Sequence, residues 1–270
     1  MCCRIFGTQS RVGTKVPWYR DHNKISQSSV RSSAWAGRDG AADAPNPSNP
    51  RCETLVWCLM QIVGRSSSHF TRMPLMFAHE LGVPLEFAAV YDMTSMDSDV
   101  YAGNPALKLP ILRTENASLF GAQNICRALV EMAGSPKRIV WPEELRDNLS
   151  RNAQELVWHG MNSQVQVAFG TIVCKLPTDN TYFVKARSGL ERSLGWLDEN
   201  LGTALRTLPL QRDLSLFEVS LFCLVDHLTF RRTVDIAPFS ALVRFTEEFG
   251  MRPSARHTAY RFDIPPAAPA

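Results

Sequence analysis

The stretch that decides the fold is "MQIVGRSSSHFTRMP", Met60 to Pro74. A short apolar run reaches Gly64, three serines follow, and a segment with helical spacing begins. The hydroxyls of Ser66, Ser67 and Ser68 admit two readings at such a corner. They fill the turn and cap the helix, or they are donors aimed at something bound against the helix start.

Working outward, "MQIVG" reads as a short buried strand. Met73, Met76, Phe77 and Leu81 recur at helical spacing, and Gly82 supplies a stop. Pro74 is harmless if the helix begins near Thr71, because the first four amides lack intrahelical partners; an earlier start puts a kink in the first turn. "LEFAAVYDM" predicts a second strand from Leu85 to about Asp92, parallel to the first because a helix joins them. A loop with room for a short helix leads to "LPILRT" and "ASLF", which flank "ENA" as a hairpin. Ala122, Ile125, Leu129 and Met132 form a helical stripe closed by Gly134 and Pro136. The order is β-α-β-α-β-β-α on a mixed four-stranded sheet.

The remainder reads as helical. "WPEELRDNL" predicts a helix with Pro142 at its first position and acids in its first turn, continuing with a break to about Val173. Leu190, Leu194, Leu197 and Leu201 make a stripe ending at Gly202. Ser215 and Glu218 form a capping box, backed by Leu214 and Val219 as a hydrophobic staple. The helix behind them is apolar on nearly every side and should run through the middle of its bundle. Phe239, Leu242, Val243, Phe245 and Phe249 predict one more helix, and "IPPAAPA" a tail.

The chain has 270 residues, 45% hydrophobic and 20% charged, with a net charge of +3, the composition of a soluble globular protein. Residues 1–59 are basic, with "SQSSVRSSAWAGRDGAADAPNPSNP" lacking any helical or strand period; they predict a disordered extension, with Met60 as a natural start. The body is close to neutral, which argues against nucleic acid as a partner. No apolar run is long enough for a membrane helix, so no membrane partner is expected. The seven cysteines contain no C-x-x-C pair and no Cys/His spacing for zinc, so no metal is expected. Cys126 and Cys223 lie in apolar helical patterns as buried thiols. The odd count and the lack of a recognisable signal peptide favour a cytoplasmic setting.

Three stretches together resemble the cytosolic glutathione S-transferase superfamily. "GRSSSHFTRMPLMFAHELGVPLEF" is similar to its first strand, active-site loop, first helix and second strand. "GNPALKLPILRTENASLFGAQNICRALVE" is similar to its asparagine-proline turn, pre-strand proline, hairpin and following helix, and "SLFEVSLFCLVDHLTF" to the capped core helix of its all-helical domain. The resemblance runs from Met60 to about Ala255. Between the disordered extension over 1–59 and the tail over 263–270, both read from composition, it implies a thioredoxin-like glutathione-binding domain over 60–135, a linker over 136–147 and an all-helical bundle over 148–262.

The resemblance also implies a chemistry. Glutathione, as co-substrate, would lie extended on the thioredoxin-like domain, its cysteine paired with the backbone of Leu109 before a cis Pro110. A free thiol titrates near pH 8.5. A hydroxyl donor and the positive end of a helix raise its thiolate fraction for attack on a small-molecule electrophile, by conjugation of the detoxification type or by peroxide or disulfide reduction. Ser68 or Ser66 would be that catalytic donor, and His69, where the family commonly has proline, a surface or loop histidine. Gly121, Ala122 and Gln123 stand where the family holds the γ-glutamyl end, but the usual acid and serine are replaced by Gly121 and Ala122. Losing two such contacts removes about 2–4 kcal/mol. That departure motivates the alternative, a non-catalytic binding protein of the same fold. Trp158, His159, Met161 and Asn162 are the acceptor-site candidates, and a homodimer is the expected assembly.

Overall fold

A computed structural model describes residues 60–134 and 137–265. The expectation for residues 1–59 lies outside the described residues. Strand β1 (Gln61–Gly64) is central in a four-stranded sheet of order β2-β1-β3-β4, parallel to β2 (Glu86–Ala89) and antiparallel to β3 (Ile111–Arg113), which pairs antiparallel with β4 (Ser118–Phe120). Side chains alternate across it. Ile62 and Leu112 face the main core, whereas Val63 and Ile111 face a smaller cluster around Tyr101, whose hydroxyl donates to the Met93 carbonyl. The second helical element of the expected order is a single 3-10 turn, Ser98–Tyr101.

Helix α1 (His69–Leu81) begins two residues before Thr71, so Pro74 stands inside it, in its second turn. At its other end Gly82 takes a left-handed conformation, φ 68°, that glycine adopts without a Cβ clash, and Val83 N–H reaches back to the Ala78 carbonyl. Helix α2 (Ala122–Ala133) packs beside α1 through Ile125, Cys126 and Leu129, all fully buried.

The second half departs from the sequence reading at four places. A two-stranded parallel pair, β5 (Ile139–Val140) with β6 (Leu214–Ser215), joins segments far apart in the chain. Pro142–Glu144 is only a 3-10 turn, because the Glu144 carboxylate folds back onto the Trp141 N–H and pairs with Arg138. Asp147 then caps a new start, α3 (Asn148–Val167), its Oδ1 accepting from Ser150 N–H at 2.9 Å. A π-helical turn, Ala168–Val173, ends that segment. Helix α4 (Thr181–Thr207) runs straight through Gly202, since Ala204 and Leu208 continue the buried stripe beyond it.

Helix α5 (Leu216–Arg231) is buried on nearly every side, and Ser215 caps it by accepting from Glu218 N–H at 3.1 Å. Cys126 and Cys223 are both fully buried. Helix α6 (Ser240–Gly250) has no cap from its own chain start; Asp198 of α4 accepts from Ala241 and Leu242 N–H instead. A short α7 (Pro253–His257), absent from the sequence reading, returns the chain against α1. The described residues fall within one compact unit, and no helix among them is long and apolar enough to cross a membrane.

Glu80, near the end of α1, ties that helix to α7. It accepts from Arg252 Nε at 2.9 Å and Ser254 Oγ at 2.6 Å, with Lys137 Nζ at 3.3 Å. Burial alone would raise its pKa, but these donors hold it down at about 2. A carboxyl depressed in the folded state contributes stability above its unfolded pKa and loses it as the pH falls towards the folded value. Glu80→Gln should therefore lower stability by about 1–2 kcal/mol at pH 7. In urea denaturation that difference should shrink as the pH falls from about 4.5 towards 2.

Candidate functional site

The β1–α1 corner is fixed by close packing of its first residue. A Cβ on Gly64 would lie 2.4 Å from Thr71 Cγ2, so only glycine lets the strand end pass under the helix. The β1–β3 register pairs Val63 with Ile111. One step further along both strands the register brings Gly64, where the serine loop departs, opposite Pro110. The Leu109–Pro110 bond is cis, Pro110 is buried, and its carbonyl accepts from Gly121 N–H at 3.3 Å. The serine loop, the Leu109–Pro110 turn and the start of α2 thus meet at one end of the sheet.

The three serines face three different ways. Ser68 is the N-cap of α1, its Oγ accepting from Thr71 N–H at 3.3 Å. Capping uses an oxygen lone pair, so the O–H remains a donor. Ser67 is buried at 2% exposure and is gripped from α5. Arg231 Nη2 donates to its Oγ at 3.0 Å, and His227 Nε2 lies 3.0 Å from its carbonyl. Ser66 turns to the other side, where its N–H donates to Asp263 Oδ2 at 2.9 Å and the residue lines a groove with Phe87, Thr258 and Arg261.

The His227 contact fixes its tautomer. A carbonyl only accepts, so Nε2 carries the proton; Nδ1 then accepts from Gln164 Nε2 at 3.4 Å, and Gln164 Oε1 accepts from Thr233 Oγ1 at 3.0 Å. This buried relay runs from α3 and the end of α5 into the serine loop. Burial, then the charge of Arg231, lowers the His227 pKa to about 3.

His69 is not the surface histidine the sequence suggested. It is buried at 2% exposure, edge-on to His227 with ring centroids 4.5 Å apart and tilted against Phe70. Neither ring nitrogen makes a hydrogen bond of ordinary geometry. Burial first, and His227 second, push its pKa well below the usual value, against a weaker opposing pull from the Met161 backbone.

At the start of α2 Gly121 is the N-cap with φ 89°, and no side chain caps the helix. Any L side chain at that φ is strained, so the backbone itself, and not only the residue, departs from a site built around an acid. Ala122 is buried and Gln123 half-buried. On α3 the acceptor-site candidates separate. Trp158 stacks on Phe70, ring centroids 6.3 Å apart and planes within 2°. Asn162 is exposed and donates to the Trp158 carbonyl. His159 points to solvent beside Glu155, and Met161 is fully buried in the core, so neither shares the Trp158 surface.

Sequence reasoning missed His227, Arg231 and Asp263. The signal for the first two was present: a histidine and an arginine on a helix otherwise apolar all round need polar partners. The arrangement puts a hydroxyl that keeps its proton at the start of α1, at the same end of the sheet as the Leu109–Pro110 turn. Among the described residues no group of side chains is arranged to hold a metal.

Because both histidines are held neutral, acid should destabilise the fold. Between the unfolded pKa near 6.5 and the lowered folded values, the unfolded chain binds protons the folded one does not, at about 1.4 kcal/mol per pH unit for each. His227→Gln should thus lose about 2 kcal/mol less stability than the wild type between pH 7.5 and 5, read from urea midpoints at each pH.

No protein-family model and no curated protein matches the chain. Solved structures do match. A glutathione transferase family member from Pseudomonas fluorescens with bound glutathione aligns at TM-score 0.61 and 20% identity, over 75% of this chain and 99% of that one. A glutathione S-transferase from Methylobacillus flagellatus with glutathione bound aligns at 0.59 and 20%, over 75% and 100%. One from Methylobacterium radiotolerans, in complex with glutathione sulfonate, aligns at 0.58 and 18%, over 77% and 99%. From β1 to α7, this chain has the glutathione S-transferase fold.

Proposed function

We propose that this protein binds glutathione and stabilises its thiolate for transfer to an electrophilic small molecule. The observation that carries the reading is Ser68: a capping hydroxyl with its proton available, at the start of α1 and beside the Leu109–Pro110 turn. Hydroxyl and helix start both favour a sulfur anion. Neighbours of the same fold with glutathione bound support the ligand. Ser68 is preferred over Ser66, which faces Asp263 and the groove by β2. The tripeptide would lie along residues 60–135, its cysteine at Leu109 and its γ-glutamyl end at Gly121, Ala122 and Gln123. The acceptor would enter between Phe70, Trp158 and Asn162 of the half spanning 148–262. A cytoplasmic homodimer fits this reading, with exposed Val165, Phe169, Ile172 and Leu176 near the α3–α4 turn available to a second copy.

A second reading, the non-catalytic binding protein, is favoured by one observation: the uncapped, left-handed Gly121 followed by Ala122. Calorimetric titration of the full chain with glutathione, followed by conjugation of a chlorodinitrobenzene acceptor, separates the two. The first expects saturable binding, and turnover that Ser68→Ala lowers about 10- to 100-fold, the worth of one hydrogen bond to a charged atom. Ala122→Ser should tighten glutathione about 5- to 10-fold by returning a hydroxyl to the helix start. Absence of binding and turnover in wild type and Ala122→Ser alike would leave the second reading standing.

A further inference from the structure

The Ser66 side of the loop carries charge that neither reading uses. Arg65 pairs there with Asp263, and Arg231, bound to Ser67, lies near enough for the two arginine charges to act on each other. Arg65 Nη1 donates to the Tyr91 carbonyl and Arg231 Nη2 to Ser67 Oγ, yet the Nε–H of each is buried without a hydrogen-bond partner. Burial and the nearby Arg65 charge together lower the Arg231 pKa. Against the two guanidinium groups stands one carboxylate. Asp263 accepts from Ser66 N–H at 2.9 Å and lies 3.8 Å from Arg65 Nε, and its side chain is 6% exposed. Among the described residues Arg231 has no ion-pair partner; it lies over the Phe230 and Phe262 rings.

The last part of the tail is lightly held. Tyr260 is anchored, its hydroxyl donating to the Cys223 carbonyl at 2.6 Å and its ring against His227 and Phe230. Beyond it Phe262 is 59% exposed and Ile264 85% exposed. Release of Asp263 would move the segment beyond Tyr260, including the Phe262 ring packed on Phe230 with centroids 4.8 Å apart.

We propose that Ser66 N–H, Arg65 and Arg231 form a binding site for a small oxyanion, a carboxylate or a phosphate, and that Asp263 is the chain's own occupant, which the free anion displaces. The supporting geometry is a backbone donor, two unsatisfied guanidinium Nε–H groups and an excess of one positive charge, with a carboxylate already seated there. A backbone amide beside arginine charge is the chemistry that recognises carboxylate and phosphate oxygens. Ser66 itself lines the groove with Phe87, Thr258 and Arg261, and the proposal uses neither Ser68 nor Leu109, so it does not rest on the glutathione reading.

The test is calorimetric titration of the full chain with inorganic phosphate and, separately, with acetate. Asp263→Ala vacates the Ser66 amide and should bind one of the probes at least tenfold more tightly than the wild type. The probe that gains identifies the class of anion. Asp263→Asn, which keeps an acceptor for Ser66 N–H but drops the charge, should show a smaller gain and covers the case in which the alanine variant misfolds. Adding Arg231→Gln to either variant should remove the gain. Affinities for both probes within twofold of the wild type in the folded Asp263 variants, or a gain that survives Arg231→Gln, would overturn the proposal. Glutathione titrated into the two single Asp263 variants keeps the two readings apart, because its affinity should not change there.

Discussion

The grip of α5 on Ser67 is the constraint on which the rest of the site depends. A loop of three serines after a glycine has no conformational preference of its own strong enough to hold one geometry. Here its central residue is fixed twice, at the carbonyl by His227 and at the hydroxyl by Arg231. Fixing Ser67 decides the other two, because neighbouring side chains on an irregular loop must diverge. Ser68 is left at the helix start and Ser66 is turned to the tail. The same helix holds α1 from a second point, where Asp226 pairs with Arg72 and Arg72 Nη2 donates to the Ala255 carbonyl. The helical half does not merely flank the sheet; it sets the loop at the sheet's end.

That dependence explains what the sequence could and could not disclose. Periodicity alone located β1, the β3–β4 hairpin and the buried stripes of α1, α2 and α5, because those patterns record a local choice between core and solvent. Capping residues did as well where cap and helix are adjacent, as at Ser215 with Glu218. Two of the failures share one cause. The β5–β6 pair joins Ile139 to Leu214, and the uncapped start of α6 is served by Asp198 from another helix. Glu144 turns back on Trp141 because Arg138 draws it. The partners of β5 and of the α6 start are far along the chain, so no local window contains their signal; Glu144, three residues from Trp141 and six from Arg138, was within local reach.

The site shows the same division. Ser68 was legible, since a serine before an apolar helical stripe is a cap by its local chemistry. The separation of Ser66 from Ser67 was not, because it is set by residues of the α5 helix and the tail, more than 150 positions away. His69 is the sharpest case. Its sequence neighbours suggest a loop, yet the His227 ring and the α3 backbone close over it, and burial then settles its charge state. A buried imidazole with unsatisfied nitrogens is expensive to keep. It persists here in contact with a second neutral histidine that is itself satisfied by Gln164 and Ser67.

The charges around the corner are accordingly divided by side. Towards α3 and the cleft, burial holds His69 and His227 neutral, so the two rings add no charge to that face. Towards β2 and the tail, Arg65 is paired with Asp263, while Arg231, on Ser67 between the two sides, adds its charge to both. A helix start favours anions on either side, but the two sides would select different ones. On the two proposals made above, the histidine side would take a soft sulfur anion beside a single hydroxyl, and the arginine side a hard oxyanion. One loop of three identical residues thereby offers two chemically distinct surfaces, and the distinction comes wholly from the elements packed around it.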